Sequence, residues 1–453
     1  MILLLRSVLG VLLALGVGSV ARASDPVAPE ARTSPEPRLV VTSPTDASRQ
    51  LLDVPTLVGA TPSAAVVVHP DDVRQPWWGT GATLTDSSVT LLRDRPDLLK
   101  TLFRGPAAGG ARLNLLRLPL SATDFSPWPW TWEPRGSTAR PPAEARDAAS
   151  LVRSIRKIRP GLRVIGTPWS APASMKTSGT VRGGGLADAA LPAYGQLLVD
   201  QRRWLRAHGV PLWAMTLGNE PGYSTDYPSM TMTDQQMVAL ADQVGPAIGS
   251  TRLWALDHNW SDRGRVDALL GATSAFDGAA FHCYGGQPSQ MAGLAVPRLV
   301  TECTGTTDGA PGTFAWDAKN LVADAVAAGS SGLMMWNLAL DPTHGPVDPG
   351  SQWGCRQCRG LLTVSPAGPE IREPEFFTLA HLGRAAAPGG RVVGVDAPSW
   401  LSVAAFRNPD GSVGVFGQNR SGAPQTVSFA VGSSTRTYPI GVGEMFSYRL
   451  PAS

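Results

Sequence analysis

Apolar and polar positions fall into two regimes along this chain. From about residue 78 to about residue 340, short, nearly continuous apolar runs alternate with longer amphipathic stretches. The runs are 78–84, 112–120, 163–169, 213–218, 252–257, 278–282, 298–302 and 332–338. Stretches 143–159, 187–208, 234–248 and 316–328 carry helical periodicity. Runs without polar alternation suit strands covered on both faces, as in a parallel sheet clothed by helices. Eight such units within roughly 260–300 residues predict a (β/α)8 TIM barrel of the α/β class. An open doubly wound sheet is the rival arrangement. No Gly-rich phosphate loop follows an early strand, which weakens its nucleotide-binding version.

Past about residue 378 the period shortens. Segments 392–395, 401–407, 413–419, 426–429, 435–440 and 445–450 alternate as short strands, with turn signals such as Pro409-Asp410-Gly411 between them. Two early strand-like segments, 39–42 and 64–69, have no place in the barrel scheme. They are expected to join the C-terminal strands and close a β-sandwich side domain from both ends of the chain. The expected division is therefore a signal peptide at 1–23, a flexible leader at 24–38, N-terminal sandwich strands at 39–74, the barrel at 75–382 and the C-terminal sandwich at 383–453.

The leader adds a compartment. Arg6, the apolar stretch 8–20 and the A-x-A pattern Ala21-Arg22-Ala23 fit a cleaved export signal. A lone membrane anchor is the alternative, but the stretch is short and interrupted by glycine. No later segment reaches the ~18–20 apolar residues of a membrane span, so a secreted protein without stable membrane insertion is expected. The 39 basic and 36 acidic residues nearly balance, and no long basic run points to nucleic acid. Fourteen tryptophans are many, and indole offers a flat apolar face and an N–H suited to sugars. In an exported chain the even set Cys283, Cys303, Cys355 and Cys358 is expected to form disulfides, with three pairings open. A zinc site is disfavoured because only one C-x-x-C is present.

Barrel enzymes carry their chemistry at the C-terminal ends of the strands. Those ends hold Asp86, Asp124, Trp169, Asn219, Glu220, His258, Asn259, His282, Tyr284, Glu302, Trp336 and Asn337, a set suited to polyols. Glu220 and Glu302 each close an apolar run, on the fourth and seventh strands. A buried acid is costly unless paired or functional. Two of them facing each other across a barrel mouth are what glycoside hydrolysis requires, one as acid and one as carboxylate. His258 and His282 lack a third ligand at metal spacing, so no metal is expected. Trp128, Trp130 and Trp132 alternate in a Pro-rich loop and are expected to wall the leaving-group side, a self-packed loop being the alternative; Trp77, Trp204, Trp213 and Trp254 are expected in the core.

Several segments also carry a family likeness: Gly79-Thr80-Gly81-Ala82-Thr83-Leu84-Thr85-Asp86, Arg117-Leu118-Pro119-Leu120 with Thr123-Asp124-Phe125-Ser126, Pro168-Trp169-Ser170-Ala171-Pro172 with Met175-Lys176, Asn219-Glu220-Pro221, His282-Cys283-Tyr284, Thr301-Glu302-Cys303 and Trp336-Asn337-Leu338-Ala339-Leu340. In this order and spacing the chain resembles glycoside hydrolase family 30, which includes glucosylceramidases and β-1,6-glucanases. The resemblance runs from about Trp77 to Leu340. It implies retention of configuration without metal or cofactor, with Glu220 as acid/base and Glu302 as nucleophile. It further implies that Asn219 meets the sugar 2-hydroxyl and that Asp124 and Trp169 hold distal hydroxyls. Trp336 would form the sugar platform, Tyr284 and Arg117 would attend the nucleophile, and His282 and Asn337 would complete the binding set.

The expected substrate is a β-linked oligo- or polysaccharide or glycolipid, β-1,6-glucan or a glucosylceramide-like glucoside foremost. Galactan, xylan and fucosides are the alternatives within the family. An inactive sugar-binding barrel is the alternative outside it, disfavoured by the presence of both carboxylates. If His282 and Glu302 face the barrel interior, alternation turns Cys283 and Cys303 outward on adjacent strands ~4.8 Å apart, within disulfide reach. Cys355 would then pair with Cys358.

Overall fold

The computed structural model describes residues 36–135, 138–309, 312–365 and 368–452. The expected signal peptide and residues 24–35 of the expected leader lie outside the described residues. Three strands precede the barrel: β1 (Arg38–Thr42), β2 (Leu52–Val54) and β3 (Ala64–Pro76). The barrel strands are β4 (Gly79–Thr83), β5 (Leu115–Pro119), β6 (Arg163–Thr167), β7 (Leu212–Thr216), β8 (Arg252–Asn259), β9 (Gly278–His282), β10 (Arg298–Glu302) and β11 (Ser330–Asn337). All neighbours pair in parallel and the sheet closes in the order β8-β9-β10-β11-β4-β5-β6-β7. Each of the eight apolar runs became one barrel strand.

The helices outside the barrel keep their amphipathic logic. α1 (Ala143–Ile158) buries Ala145, Ala148, Ala149, Val152 and Ile155 at i, i+3, i+4 spacing. α2 (Leu191–Ala207) follows a single 3-10 turn, and α3 (Asp234–Val244) starts at a capping box in which Thr233 and Gln236 satisfy each other's backbone N–H. Stretch 316–328 is not a plain α-helix: its centre, Asp317–Asp324, is a π-helix.

Six strands follow: β12 (Arg391–Asp396), β13 (Leu401–Arg407), β14 (Val413–Asn419), β15 (Gln425–Val431), β16 (Ser434–Ile440) and β17 (Met445–Leu450). With β1–β3 they form one nine-stranded sheet in the order β2-β1-β17-β14-β13-β12-β3-β15-β16. Phe429 on β15 stacks on Tyr448 of β17, ring centroids 4.6 Å apart, although four other strands lie between theirs. In a flat sheet those strands would be ~24 Å apart. The sheet therefore folds over itself into a sandwich, and Leu39, Val66, Val415, Phe429 and Tyr448 fill its interior. Helix α4 (Pro374–Ala385) packs against β14, β17 and the barrel strand β4. Gly383 lets the same helix approach the segment before β5, because a Cβ there would lie 2.3 Å from the carbonyl of Ala111.

Candidate active site

Alternation along the strands builds the site in two storeys. Leu115, Ile165, Ala214, Trp254, Ala280, Leu299 and Met334 form an apolar plug inside the barrel, closed below by Trp78 and Trp213. Two residues further along β5, β6, β7, β9, β10 and β11, the same inward face carries Arg117, Thr167, Thr216, His282, Thr301 and Trp336. Packed hydrocarbon thus supports a polar floor at the C-terminal mouth.

On β8 the alternation breaks. Leu256 and Asp257 both hold left-handed backbone, at φ 70° and 69°, and the pairing with β9 skips one residue there. For an L-residue this costs roughly 1–2 kcal/mol each. The bulge turns Asp257 inward, where its fully buried carboxylate accepts from Arg117 Nη2 at 2.9 Å, Thr301 Oγ1 at 2.7 Å, Thr216 Oγ1 at 3.0 Å and Thr167 Oγ1 at 3.2 Å, and pairs with His282 Nε2 at 3.0 Å. Sequence reasoning missed this residue. The available signal was the one used for the two glutamates: an acid closing an apolar run.

Glu220 sits beyond the end of β7, also in left-handed backbone at φ 43°, with its N–H donating to the Asp257 carbonyl at 3.0 Å. Glu302 ends β10. Arg117 donates to Glu302 Oε2 through Nη1 and to Asn219 Oδ1 through Nη2 at 2.6 Å. The hydroxyl of Tyr284 donates to Glu302 Oε1 at 3.0 Å, and His282 Nδ1 lies 2.9 Å from Glu220 Oε1. One polar atom each of Glu220, His282 and Glu302 falls within 4.8 Å of the others. A divalent cation needs such spacing. Here His282 Nδ1 is engaged with Glu220 of the same cluster and Nε2 with Asp257, and Glu302 is ion-paired to Arg117.

Charge in this cavity is shared by five groups. Burial acts against a charged His282, yet the carboxylates around it, Glu302 first, raise its pKa to about 9. Burial pushes Glu220 up, but the hydrogen bond and charge of His282 outweigh it and hold the carboxyl below the ordinary range. Glu302 is raised by burial, against the pull of His282 and Arg117. Asp257 is buried as well, but Arg117 and His282 hold it far below the usual range. Two cations therefore face three acids. The two glutamates titrate as a coupled pair.

Trp169 and Trp336 stack at 5.1 Å with 28° between planes, and the Arg117 guanidinium lies 4.5 Å over Trp169. Phe125 meets Trp336 edge-on, bringing in the loop that carries Asp124. Burial raises Asp124 to about 7, although the Cys355 N–H donates to it at 3.3 Å. Asn337 is buried, its Oδ1 accepting from Thr85 Oγ1 at 2.6 Å and its Nδ2 unpartnered. His258 pairs with Asp262 at 2.7 Å and stands 4.0 Å from Glu220.

The tryptophan stripe is corrected by the structure. Trp130 is buried and donates to Asp86 at 2.7 Å, and Trp132 is buried edge-on against Trp204. The loop folds back onto its own barrel, and of the three only Trp128 stays exposed. A segment that drew no attention in the sequence lies near Asp124 instead. Loop 341–360 is tied by Asp348 to Arg182 at 2.7 Å and by Asp226 to the N–H of Gln352 at 2.7 Å, and it presents Trp353 with 73% of its surface exposed. Disulfides join Cys283 to Cys303, Cα atoms 5.3 Å apart, and Cys355 to Cys358, 5.5 Å apart.

Known proteins resemble this chain. The model of the glycosyl hydrolase family 30 TIM-barrel domain matches residues 78–259. An endo-1,6-beta-D-glucanase of Neurospora crassa is 28% identical over 393 residues, covering 78% of this chain and 80% of its own length. The lysosomal acid glucosylceramidase of Mus musculus is 23% identical, covering 80% of this chain and 79% of its own. A solved endo-beta1,6-glucanase superposes with a TM-score of 0.82 at 22% identity, covering 92% of this chain and all of that one, which speaks for the fold.

Proposed function

We propose that this chain, which belongs to glycoside hydrolase family 30, hydrolyses β-1,6-linked glucan by double displacement, with Glu302 as nucleophile and Glu220 as acid/base. The observation that carries the assignment is the approach of Glu220 and Glu302 to within 4.8 Å across the barrel mouth. Retaining enzymes set their carboxyls ~5–5.5 Å apart, whereas inverting enzymes leave ~6.5–9.5 Å for a water.

The reacting form has a proton on Glu220 and the charge on Glu302. The Arg117 guanidinium and the Tyr284 hydroxyl both aim at Glu302 and favour that distribution once a glycosidic oxygen lies beside Glu220. Glu302 attacks the anomeric carbon as Glu220 gives its proton to the departing oxygen, leaving a glycosyl ester on Glu302 and Glu220 ionised. Glu220 then takes a proton from water, whose oxygen attacks the same carbon and frees Glu302. Two inversions return the β configuration. Asn219 Oδ1 is held by Arg117, so the amide Nδ2 is left to donate to the sugar 2-hydroxyl. Trp169 and Trp336 supply the apolar face, and Asp124 accepts from distal hydroxyls.

The β-1,6-glucan preference rests on the three fungal endo-1,6-beta-D-glucanases, at 26–28% identity over about three quarters of the chain. The glucosylceramidases stand at 23–24%. Export to an oxidising compartment is supported by the two disulfides. No helix among the described residues is long and apolar enough to cross a membrane. The test is sugar release from linear β-1,6-glucan, β-1,3-glucan and glucosylceramide side by side. Reducing ends from the first alone are expected. Turnover of either other substrate with none from β-1,6-glucan overturns the substrate assignment.

A further inference from the structure

At the opposite end of the barrel from Glu220 and Glu302 lies a second concavity that the hydrolytic reading does not use. Its volume is about 450 Å³, and Arg38, Asp53, Arg112, Arg384 and Arg449 are among its lining residues. Arg112 stands three residues before β5, so the cavity opens where barrel strands begin. Arg384 comes from the last turn of α4, and Arg38 and Arg449 from β1 and β17 of the side sheet. Barrel, helix and sandwich each contribute a guanidinium to one hollow.

The charges do not balance. Arg38 is paired with Asp53 at 2.5 Å and Arg449 with Asp410 at 2.6 Å. Arg384 donates to the Ala380 carbonyl at 3.0 Å and has no carboxylate partner among the described residues. Arg112 has no side-chain hydrogen bond or ion pair among the described residues, and its Nη1 is buried without an acceptor. Its backbone is left-handed, at φ 63°, a conformation an L-residue adopts only when its surroundings impose it. Burial, then the charge of Arg449, pulls the Arg112 pKa down to about 10, and burial does the same to Arg384. Both remain cations at neutral pH and half-desolvated; Arg449 and Arg159 repel Arg112 while Asp410 attracts it, and Asp53 attracts Arg384 without an ion-pair contact. A buried charge without a counter-charge is expensive, and the absent component is an anion.

We propose that this cavity binds a tetrahedral oxyanion, phosphate or the phosphate ester of a sugar, and that the bound anion clamps the barrel to the side sheet. Guanidinium forks suit phosphate oxygens, and groups converging from three elements match a tetrahedral anion better than a flat carboxylate. The volume exceeds what the oxyanion alone needs and leaves room for a sugar-sized appendage.

The whole chain is titrated calorimetrically with inorganic phosphate and with glucose 6-phosphate against sodium chloride at equal ionic strength, and its thermal midpoint is followed in parallel. Saturable binding and a rising midpoint with inorganic phosphate identify a free oxyanion. Saturation by glucose 6-phosphate about tenfold tighter identifies a sugar-borne one. Arg112→Met and Arg384→Met should each weaken binding by about tenfold or more, with hydrolysis unchanged. Should either variant fail to fold, Arg38→Gln at the exposed rim, expected to weaken binding by a smaller factor, and the wild-type titration still decide. No saturation beyond the chloride control, or equal affinity in Arg112→Met, overturns the proposal.

Discussion

Replacing Asp257 by asparagine tests how the floor of the site works. Its carboxylate receives five contacts: Arg117, His282, Thr167, Thr216 and Thr301. An amide keeps the shape but carries no charge and must turn its Nδ2 toward one side. The threonine hydroxyls can rotate to accept. Arg117 cannot, so the amide oxygen must face Arg117 and Nδ2 must face His282. His282 Nε2 then becomes the acceptor, so the imidazole gives up its Nε2 proton and with it its charge, while Nδ1 keeps its proton toward Glu220. The cation that holds the Glu220 carboxyl below the ordinary range is gone, and the Glu220–Glu302 pair loses the charge balance its proton transfers depend on. Because general acid–base catalysis contributes about 10²–10⁴-fold, kcat should fall within that range. Removing one partner of a buried ion pair costs about 3–5 kcal/mol of stability. His282 adds a pH signature. Its folded pKa is raised from 6.5 to about 9, so its stabilisation is complete below about 6.5 and is lost as pH rises through about 9. Without Asp257 the alkaline loss of stability should begin at lower pH. Urea unfolding across pH 6–10, with kcat/KM on an aryl β-glucoside, measures all three. A variant within about 1 kcal/mol of wild type, with an unmoved alkaline limb, refutes the reasoning.

Three further outcomes follow from the same geometry. Azide should restore turnover to Glu220→Ala and yield a β-glycosyl azide, because an anionic nucleophile needs no general base; an α-product would point to inversion. Replacing Cys283 and Cys303 together by serine opens a loop spanning 20 residues, for which chain entropy predicts a loss of about 3 kcal/mol in denaturant melts, while an unchanged midpoint would show that the bridge adds nothing. Trp130→Phe should cost about 1 kcal/mol through the lost bond to Asp86 and leave KM for oligosaccharides alone; a fivefold rise in KM would place Trp130 in the cleft after all.

Much of the architecture was legible because burial dictates pattern. Strands covered on both faces read as apolar runs, and Glu302 was conspicuous as an acid at the end of one. Arg117 was assigned to the acid cluster by resemblance, and the structure shows it donating to Glu302, Asn219 and Asp257. What escaped were features that depend on departures from regular period. Asp257 closed an apolar run as the two glutamates did, but it faces the site only because two left-handed residues shift β8 by one place, and no local composition announces such a bulge. Trp130 and Trp132 looked like a cleft wall because alternation cannot say which way a loop folds back. The loop that presents Trp353 is fixed by Asp226 and Arg182, partners more than 100 residues away. The two glutamates were expected to differ in one direction, Glu220 protonated and Glu302 charged. In the free site the proximity of His282 to Glu220 tilts them the other way, which only coordinates reveal.

The mechanism is decided by which carboxylate becomes esterified to the sugar. Incubation with a 2-deoxy-2-fluoro β-glucoside carrying a good leaving group, followed by proteolysis and mass spectrometry, locates that ester. The label should sit on the peptide containing residue 302, and fragmentation should assign it to Glu302. A label on Glu220 or Asp257, or continued turnover with no label at all, would contradict it.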